Sequence, residues 1–303
     1  MVGRMAVVSD TGRRRRRNED AFVCAPPLFA VADGMGGAQA GEVASGLAAA
    51  VLEEGAGDER GEERVASLIK EANRRVFQRS NEDAATSGMG TTMTVALVDS
   101  SGGTIAFGHV GDSRAYRVRD GRLEQLTDDH SLVGELVRSG KLSPEEAETH
   151  PQRSVITRAL GTEADVDVDT FSLPATPGDL FLLCSDGLTS MVDDQTILDA
   201  VESHRSNLHE AAKALVNAAN RGGGEDNITV VFFEVAAEEE PAEETEDTVV
   251  GLLDNEDTMD ESDGQPPIAV VEPKRRGRTL PVLGAFAVLL IIAAAVLWLL
   301  GQS

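Results

Sequence analysis

Four aspartates of this 303-residue chain stand where strongly apolar runs end or begin. LFAVADGMGG carries Asp33, AFGHVGDSR carries Asp112, LFLLCSDGL carries Asp186, and GGGEDNITVVFFEV places Asp226 just ahead of a run. A fifth acidic spot, Arg17-Asn18-Glu19-Asp20, precedes a short apolar stretch at 21–24. Taken one at a time, each Asp is a turn former. Asp is depleted inside strands, so four at the mouths of separate strands point to one rim on which strand ends converge. Like charges gathered there raise one another's pKa and destabilise the fold unless a divalent cation neutralises them. Ligation by oxygen alone suits Mg²⁺ or Mn²⁺ better than zinc or copper. The glycines after Asp33 and Asp186 are expected to let the backbone turn tightly and bring a carbonyl towards the ion. Two such ions, roughly 3.5–4 Å apart, can hold a bridging water, lower its pKa and drive in-line attack on phosphorus.

A phosphate entering a carboxylate-lined site needs cationic help, and five consecutive arginines, 13–17, lie just upstream of Glu19 and Asp20. A guanidinium grips phosphate oxygens through two parallel hydrogen bonds, which lysine cannot do. At least one of the five is expected to serve the site, the others being solvated or in contact with a membrane surface. The glycine-rich stretches contain no GxxxxGK[ST] nucleotide loop. The two cysteines, Cys24 and Cys184, have no zinc-type spacing and read as free thiols in a reducing compartment. Cys184 lacks the phosphate-cradling loop of a cysteine nucleophile and is expected to pack in the core.

The elements that must position these residues follow from hydrophobic periodicity. Strands are expected at 5–9, 28–32, 92–98, 104–110, 115–119, 180–184 and 228–235. YRVR-DG-RLEQL reads as a hairpin, because Asp-Gly suits a two-residue primed turn. Helical patterns cover 40–54, 64–79, 132–139, 194–201 and 208–219. Strands often follow one another directly, so α+β layers fit better than a doubly wound parallel sheet.

Hydrophobic residues make up 41% of the chain and aromatics 4%, enough for a core built from Val, Leu, Ile and Ala. The 27 basic and 52 acidic residues leave a net charge of −25, which argues against nucleic acid as a partner. The charge is unevenly spread. Residues 236–273 hold 14 acids and no Lys or Arg, the composition of a disordered tether. Lys274, Arg275, Arg276 and Arg278 form a basic collar, followed by 21 uncharged residues at 280–300. As a helix these would span about 31 Å, the thickness of a bilayer's hydrocarbon layer. The expected organisation is a folded domain at 1–235, an acidic linker and collar at 236–279, and a single transmembrane helix at 280–300. The positive-inside rule places the folded domain in the cytoplasm, anchored to the cell membrane. Without tether and collar, residues 1–235 still carry −15.

Six motifs in order resemble the metal-dependent serine/threonine protein phosphatases of the protein phosphatase 2C (PPM) family, the bacterial branch in particular. They are Ser9-Asp10-Thr11-Gly12-x-x-Arg15-x-x-Asn18-Glu19-Asp20, Val31-Ala32-Asp33-Gly34-Met35-Gly36-Gly37, Gly90-Thr91-Thr92, His109-Val110-Gly111-Asp112-Ser113-Arg114, Cys184-Ser185-Asp186-Gly187-Leu188 and Gly224-Glu225-Asp226-Asn227-Ile228-Thr229. The resemblance implies a four-layer α-β-β-α sandwich with metal ions at one edge of the paired sheets. It implies that Asp33 bridges two Mn²⁺ or Mg²⁺ ions, completed by the carbonyl of Gly34 and the carboxylates of Asp186 and Asp226. Glu19 and Asp20 would act mostly through water, Asp112 would serve a third, looser ion, and Arg15 would bind the substrate phosphate. The implied activity is hydrolysis of phosphoserine and phosphothreonine in proteins by a metal-bridging water, with no covalent intermediate. The implied partners are a serine/threonine kinase, which the enzyme counteracts, and that kinase's substrates.

Met35 departs from the pattern, since many eukaryotic members carry there a His assigned as general acid, whereas bacterial relatives commonly carry Met. His130 and His150 lie in the stretch 127–161 that corresponds to the family's variable flap, and both are expected to be ordinary surface histidines. The proton donor to the leaving group stays open at this point. Two rival readings are a non-catalytic membrane scaffold, which predicts damaged metal aspartates, and a phosphatase for small phosphate esters.

Overall fold

The run ITVVFFEV at Ile228–Val235 lacks the polar alternation of a strand wetted on one face, and the reason is that both of its faces are covered. Ile228, Val230 and Phe232 point into one hydrophobic cluster; Val231, Phe233 and Val235 point into another. Leu28–Met35 behaves the same way, with Leu28, Ala30 and Ala32 on one side and Phe29 and Val31 on the other. These opposed sets follow from the period-2 alternation of a strand.

The computed structural model describes residues 2–236 except 37–39, 56, 58, 83, 144, 145 and 148. The expected linker from 237 onward and the apolar span at 280–300 lie outside the described residues. Among the described residues no helix is long and apolar enough to cross a membrane. Eleven strands and six helices are described. They are β1 (Val2–Asp10), β2 (Asp20–Ala25), β3 (Leu28–Met35), α1 (Ala40–Glu54), α2 (Glu62–Glu82), β4 (Gly90–Thr91), β5 (Met93–Asp99), β6 (Thr104–Val110), β7 (Arg114–Arg119), β8 (Arg122–Gln125), α3 (Leu132–Arg138), β9 (Asp169–Pro174), β10 (Leu180–Cys184), α4 (Asp186–Thr189), α5 (Asp194–Ser203), α6 (Leu208–Gly222) and β11 (Ile228–Val235).

Two antiparallel sheets form, one in the order β1-β11-β10-β7-β8 and the other β2-β3-β5-β6-β9, with β4 paired to β3. The sheets face each other across Phe29, Phe107, Phe181 and Phe233. The Phe29 and Phe233 rings stack with centroids 4.3 Å apart. Helices α1 and α2 cover the outer face of the β2 sheet, and α4, α5 and α6 cover the outer face of the β1 sheet. The expected four-layer α-β-β-α arrangement is therefore what the described residues adopt.

The β7–β8 hairpin turns through Asp120 and Gly121, with φ of 51° and 69°, the positive pair a primed turn requires. Helices α3, α5 and α6 open on Ser131, Asp193 and Asn207, whose side chains accept from the backbone N–H three residues on. Some expectations need correction. Strand β9 was not foreseen, because DTFSLP is an edge strand without a strong apolar signal. Helix α4 is a single turn, too short to carry a periodicity. Strand β3 runs on to Met35, so Asp33 and Gly34 sit inside it rather than beyond its end.

Candidate functional site

The register brings one end of each sheet to the same edge. In one sheet Ser9 opposes Thr229, and Cys184 opposes both Val230 and Arg114. In the other, Asp20 opposes Asp33 and Met93 opposes Val110. Two connections cross between the sheets at this edge. One is 11–19, from β1 to β2, with the arginine run; the other is 111–113, from β6 to β7, with Asp112. Asp186 opens α4 directly after β10, and Asp226 directly precedes β11.

Three of the acids are held by residues distant in sequence. Asp20 Oδ2 accepts from Thr229 Oγ1 at 2.6 Å and from Ser185 Oγ at 2.8 Å. Thr229 Oγ1 lies 2.8 Å from Ser9 Oγ, which in turn accepts from Asn18 Nδ2 at 2.7 Å. The Asp33 peptide is clamped by the Thr91–Thr92 pair. Its N–H donates to Thr92 Oγ1, and its carbonyl accepts from Thr92 N and Thr91 Oγ1, all at 2.9 Å. Arg15 Nη2 donates to Asp226 Oδ2 at 2.7 Å, and its Nη1 lies 4.0 Å from Glu19 Oε2.

Gly34 and Gly187 serve close approach, not the tight turn expected of them. A Cβ on Gly34 would stand 2.2 Å from the Gly41 carbonyl and 2.5 Å from that of Glu19, and one on Gly187 would stand 2.0 Å from the carbonyl of Asn227. A side chain at either position would push apart the backbone segments that bring the acids together. The Gly34 carbonyl and the Glu19 carboxylate both face Gly41, since a Cβ there would lie within 2.8 Å of the first and 2.9 Å of the second.

The acids meet at the mouth, in partial contact with solvent, yet deep enough for burial to dominate their titration. Burial pushes Asp20 up to about 7, against the hydrogen bonds from Thr229 and Ser185 that favour its charge. Burial and the Asp226 charge push Asp186 up to about 6. Burial and the Asp186 charge push Asp112 up to about 8. Asp33 is raised well above the carboxylate range by burial, then by Asp20 and Asp186. Burial also raises Glu19.

These raised values test whether the residues fit a divalent ion. One buried oxygen of each of Asp20, Asp112 and Asp186 has no hydrogen-bond partner among the described residues. Buried carboxylate oxygens without donors are costly, and hard cations are ligated by such oxygens. Among the described residues no three His, Cys, Asp or Glu side chains already close into a metal cage. The fit therefore rests on the orphaned oxygens and the raised titrations. On those grounds the donor set suits Mg²⁺ or Mn²⁺.

Two expectations about other side chains are settled differently. His130 is not a surface residue: it is 3% exposed. Its Nδ1 accepts from Gly111 N at 3.0 Å, and its Nε2 lies 3.1 Å from Asp169 Oδ2. His109 is also buried and lowered to about 4, by burial first and then by His130. His150 is half-buried. Cys184 is buried, with its thiol pushed up to about 12, and packs in the core as expected.

Asn227 is the residue whose role was not read from the sequence, although it stands beside Asp226 in the last motif. It is 2% exposed. Its Oδ1 accepts from Glu19 N at 2.7 Å, and its Nδ2 donates to the carbonyls of Thr11 and Arg17, both at 2.9 Å. One side chain thus ties the arginine connection to the turn carrying Asp226. Its position between an Asp and an apolar strand was the available signal.

A paired-sheet sandwich with an acid-lined edge and an arginine at its rim gathers oxygen donors suited to divalent cations beside a guanidinium. Residues 13–220 match the profile described as protein phosphatase 2C, and the chain belongs to that family. It is 43% identical over 238 residues to the serine/threonine protein phosphatase PstP of Mycobacterium tuberculosis, covering 78% of this chain and 45% of that protein. The chain thus spans about half the length of that relative. A crystal structure of the M. tuberculosis serine/threonine phosphatase PstP superposes with a TM-score of 0.74 at 41% identity, covering 78% of this chain and all of that one. The catalytic domain of PstP in complex with two manganese ions superposes with a TM-score of 0.71 at 40% identity, covering 78% of this chain and 99% of that one.

Proposed function

We propose that the chain is a metal-dependent phosphatase acting on phosphoserine and phosphothreonine in proteins, opposing a serine/threonine kinase. The observation that carries this reading is the convergence of Asp20, Asp33, Asp112, Asp186 and Asp226 on one edge, with partnerless buried oxygens on three of them. Asp33, Asp186, Asp226 and the Gly34 carbonyl would hold two Mn²⁺ or Mg²⁺ ions, Glu19 and Asp20 would act mostly through water, and Asp112 would serve a third. When bound, such ions neutralise the acids, polarise the phosphate and make water a nucleophile near neutral pH.

The chain's own residues do the rest. Arg15 is half-exposed at the rim with one guanidinium edge on Asp226, and its remaining donors can grip the phosphate of a substrate. Thr229 and Ser185 hold Asp20 in one orientation. Asn227, next to Asp226, holds the Thr11 and Arg17 carbonyls on either side of Arg15 and so fixes Arg15 relative to Asp226. Met35 cannot donate a proton. His109 and His130 have all four ring nitrogens engaged by Thr94, Asp128, Gly111 and Asp169, so neither is free to protonate the leaving alkoxide.

The apolar stretch at 280–300 and the collar before it support a single-pass anchor with this domain on the cytoplasmic side. Hydrolysis of phosphothreonine peptides and of p-nitrophenyl phosphate by the full chain, with and without Mn²⁺, tests the reading. Peptide turnover that requires the ion and stops in excess EDTA is the expected result. Undiminished turnover in EDTA would refute the metal role, and hydrolysis of the small ester alone would refute the protein substrate.

A further inference from the structure

Arginines 13–17 are all exposed, on a domain whose residues 1–235 carry −15. Arg15 belongs to the site. Arg13 Nε donates to the Asn220 carbonyl at 2.9 Å, and Arg17 Nη1 lies 3.8 Å from Glu42 Oε2. The guanidinium groups of Arg14 and Arg16 make no hydrogen bond or ion pair among the described residues.

The backbone that carries these free cations is tightly fixed. The N–H groups of Arg13 and Arg14 both donate to the Gly224 carbonyl, at 2.8 and 3.1 Å. Gly12 N donates to Asp10 Oδ1 at 2.8 Å, and Asn227 holds Thr11 and Arg17. A turn pinned at both ends, with the Arg14 and Arg16 guanidinium groups left outside, is preorganised for an anionic partner, because little backbone ordering remains to be done on binding. Glu225, on the same turn as Asp226, has its Oε2 3.8 Å from Arg153 Nη2.

From this we infer that the 13–17 edge selects protein substrates in which acidic or additionally phosphorylated residues flank the phosphorylated one, with Arg14 and Arg16 as the specificity-determining residues. The inference rests on the phosphatase reading above. With the phosphate at Arg15, the Cα atoms of Arg14 and Arg16 stand one residue, about 3.8 Å, to either side. An extended peptide advances roughly 3.3 Å per residue. Carboxylates or phosphates close to the phosphorylated residue therefore fall within the span of the strip. Arginine favours this work through its paired donors. The acidic field of the surrounding domain repels long polyanions and restricts the strip to short anionic segments.

The test compares kcat/KM of the full chain, in detergent with Mn²⁺, on three phosphothreonine peptides. One has neutral flanks, one has Glu two residues to each side, and one has a second phosphothreonine in place of a Glu. The two anionic peptides are expected to be preferred by about 3- to 10-fold, the range that two exposed charge pairs supply. The preference should collapse towards unity in Arg14→Gln/Arg16→Gln and shrink as salt approaches ~1 M, where the screening length is about 3 Å. Arg14→Lys/Arg16→Lys, which keeps the charge, should retain part of it. Equal rates on all three peptides would overturn this inference alone, whereas no hydrolysis of any would overturn the phosphatase reading with it. Co-sedimentation with phosphatidylcholine–phosphatidylserine vesicles supplies the other arm. Weaker vesicle binding by the Gln variant with an unchanged peptide ratio would assign the strip to the membrane and overturn the proposal.

Discussion

Asp20 and Asp33 are direct cross-strand partners in the β2–β3 ladder, two acids facing each other at the edge where both sheets end. Like charges directly opposite destabilise a sheet. Burial raises both carboxyls, and the Asp20 charge raises Asp33 further.

Stability of the ion-free protein should therefore fall as pH rises. The folded-state values of Asp20, Asp186 and Asp112, at about 7, 6 and 8, stand above the ordinary carboxylate value. The native state accordingly binds more protons than the unfolded chain across that interval. Stability is lost from about pH 4 up to about pH 8 as these protons leave. The Tm in EDTA should be lower at pH 8 than at pH 5 by roughly 5 °C or more. Mn²⁺ should raise it most at the higher pH. A melting series with a flat profile in EDTA would count against the arrangement.

Asp33→Asn separates the two roles of that acid. It removes a buried ionisable carboxyl from the cluster and should leave the ion-free Tm unchanged or raised. Turnover should drop by at least about 100-fold, as loss of a metal ligand costs more than loss of its outer-shell partner. Asp186→Ala should show a loss of the same order. Retention of a large fraction of the activity by either variant would remove it from the site.

Thr229→Val keeps the shape of the side chain but removes one of the two hydroxyl donors on Asp20. Mn²⁺ affinity, read by isothermal titration, should weaken by about 10- to 100-fold. The KM for a phosphopeptide at saturating Mn²⁺ should change little. A large rise in KM with unaltered metal affinity would move Thr229 from holding Asp20 to binding substrate.

Asn227→Ala removes the side-chain partner of the Glu19 amide and of the carbonyls of Thr11 and Arg17 in a part-buried setting. The expected destabilisation is about 2–4 kcal/mol, measured by urea unfolding. In the folded fraction, KM for phosphopeptides should rise, because Arg15 loses its fixed relation to Asp226. An unaffected KM would show that the connection is held without Asn227.

Deletion of residues 280–300 should shift the protein from the membrane to the soluble fraction after cell lysis. An unchanged distribution would defeat the anchor.

Much of this architecture is legible in the amino-acid order, for identifiable reasons. Both faces of β10 and β11 are buried, so LFLLC and ITVVFFEV are unbroken apolar runs, and Asp120-Gly121 needs positive φ at both residues. The acids announced themselves by interrupting such runs. What could not be read depends on distant partners. Strand β9 is held by pairing to β6, not by its own composition. The burial of His130 comes from packing against His109 and bonding to Gly111 and Asp169. The glycines at 34 and 187 looked like turn residues because nothing local reveals that the carbonyls of Gly41 and Asn227 press against them.

The acid-lined edge is shared between the two sheets, with Asp20 and Asp33 on one, Asp186 and Asp226 on the other. Their separation is consequently governed by the thickness of the aromatic filling, where Phe29 rests on Phe233 at 4.3 Å and Phe107 on Phe181 at 5.6 Å across the two sheets. Those rings act as shims between two plates, so that trimming one of them alters the width of the jaw at the far rim without touching any residue in it.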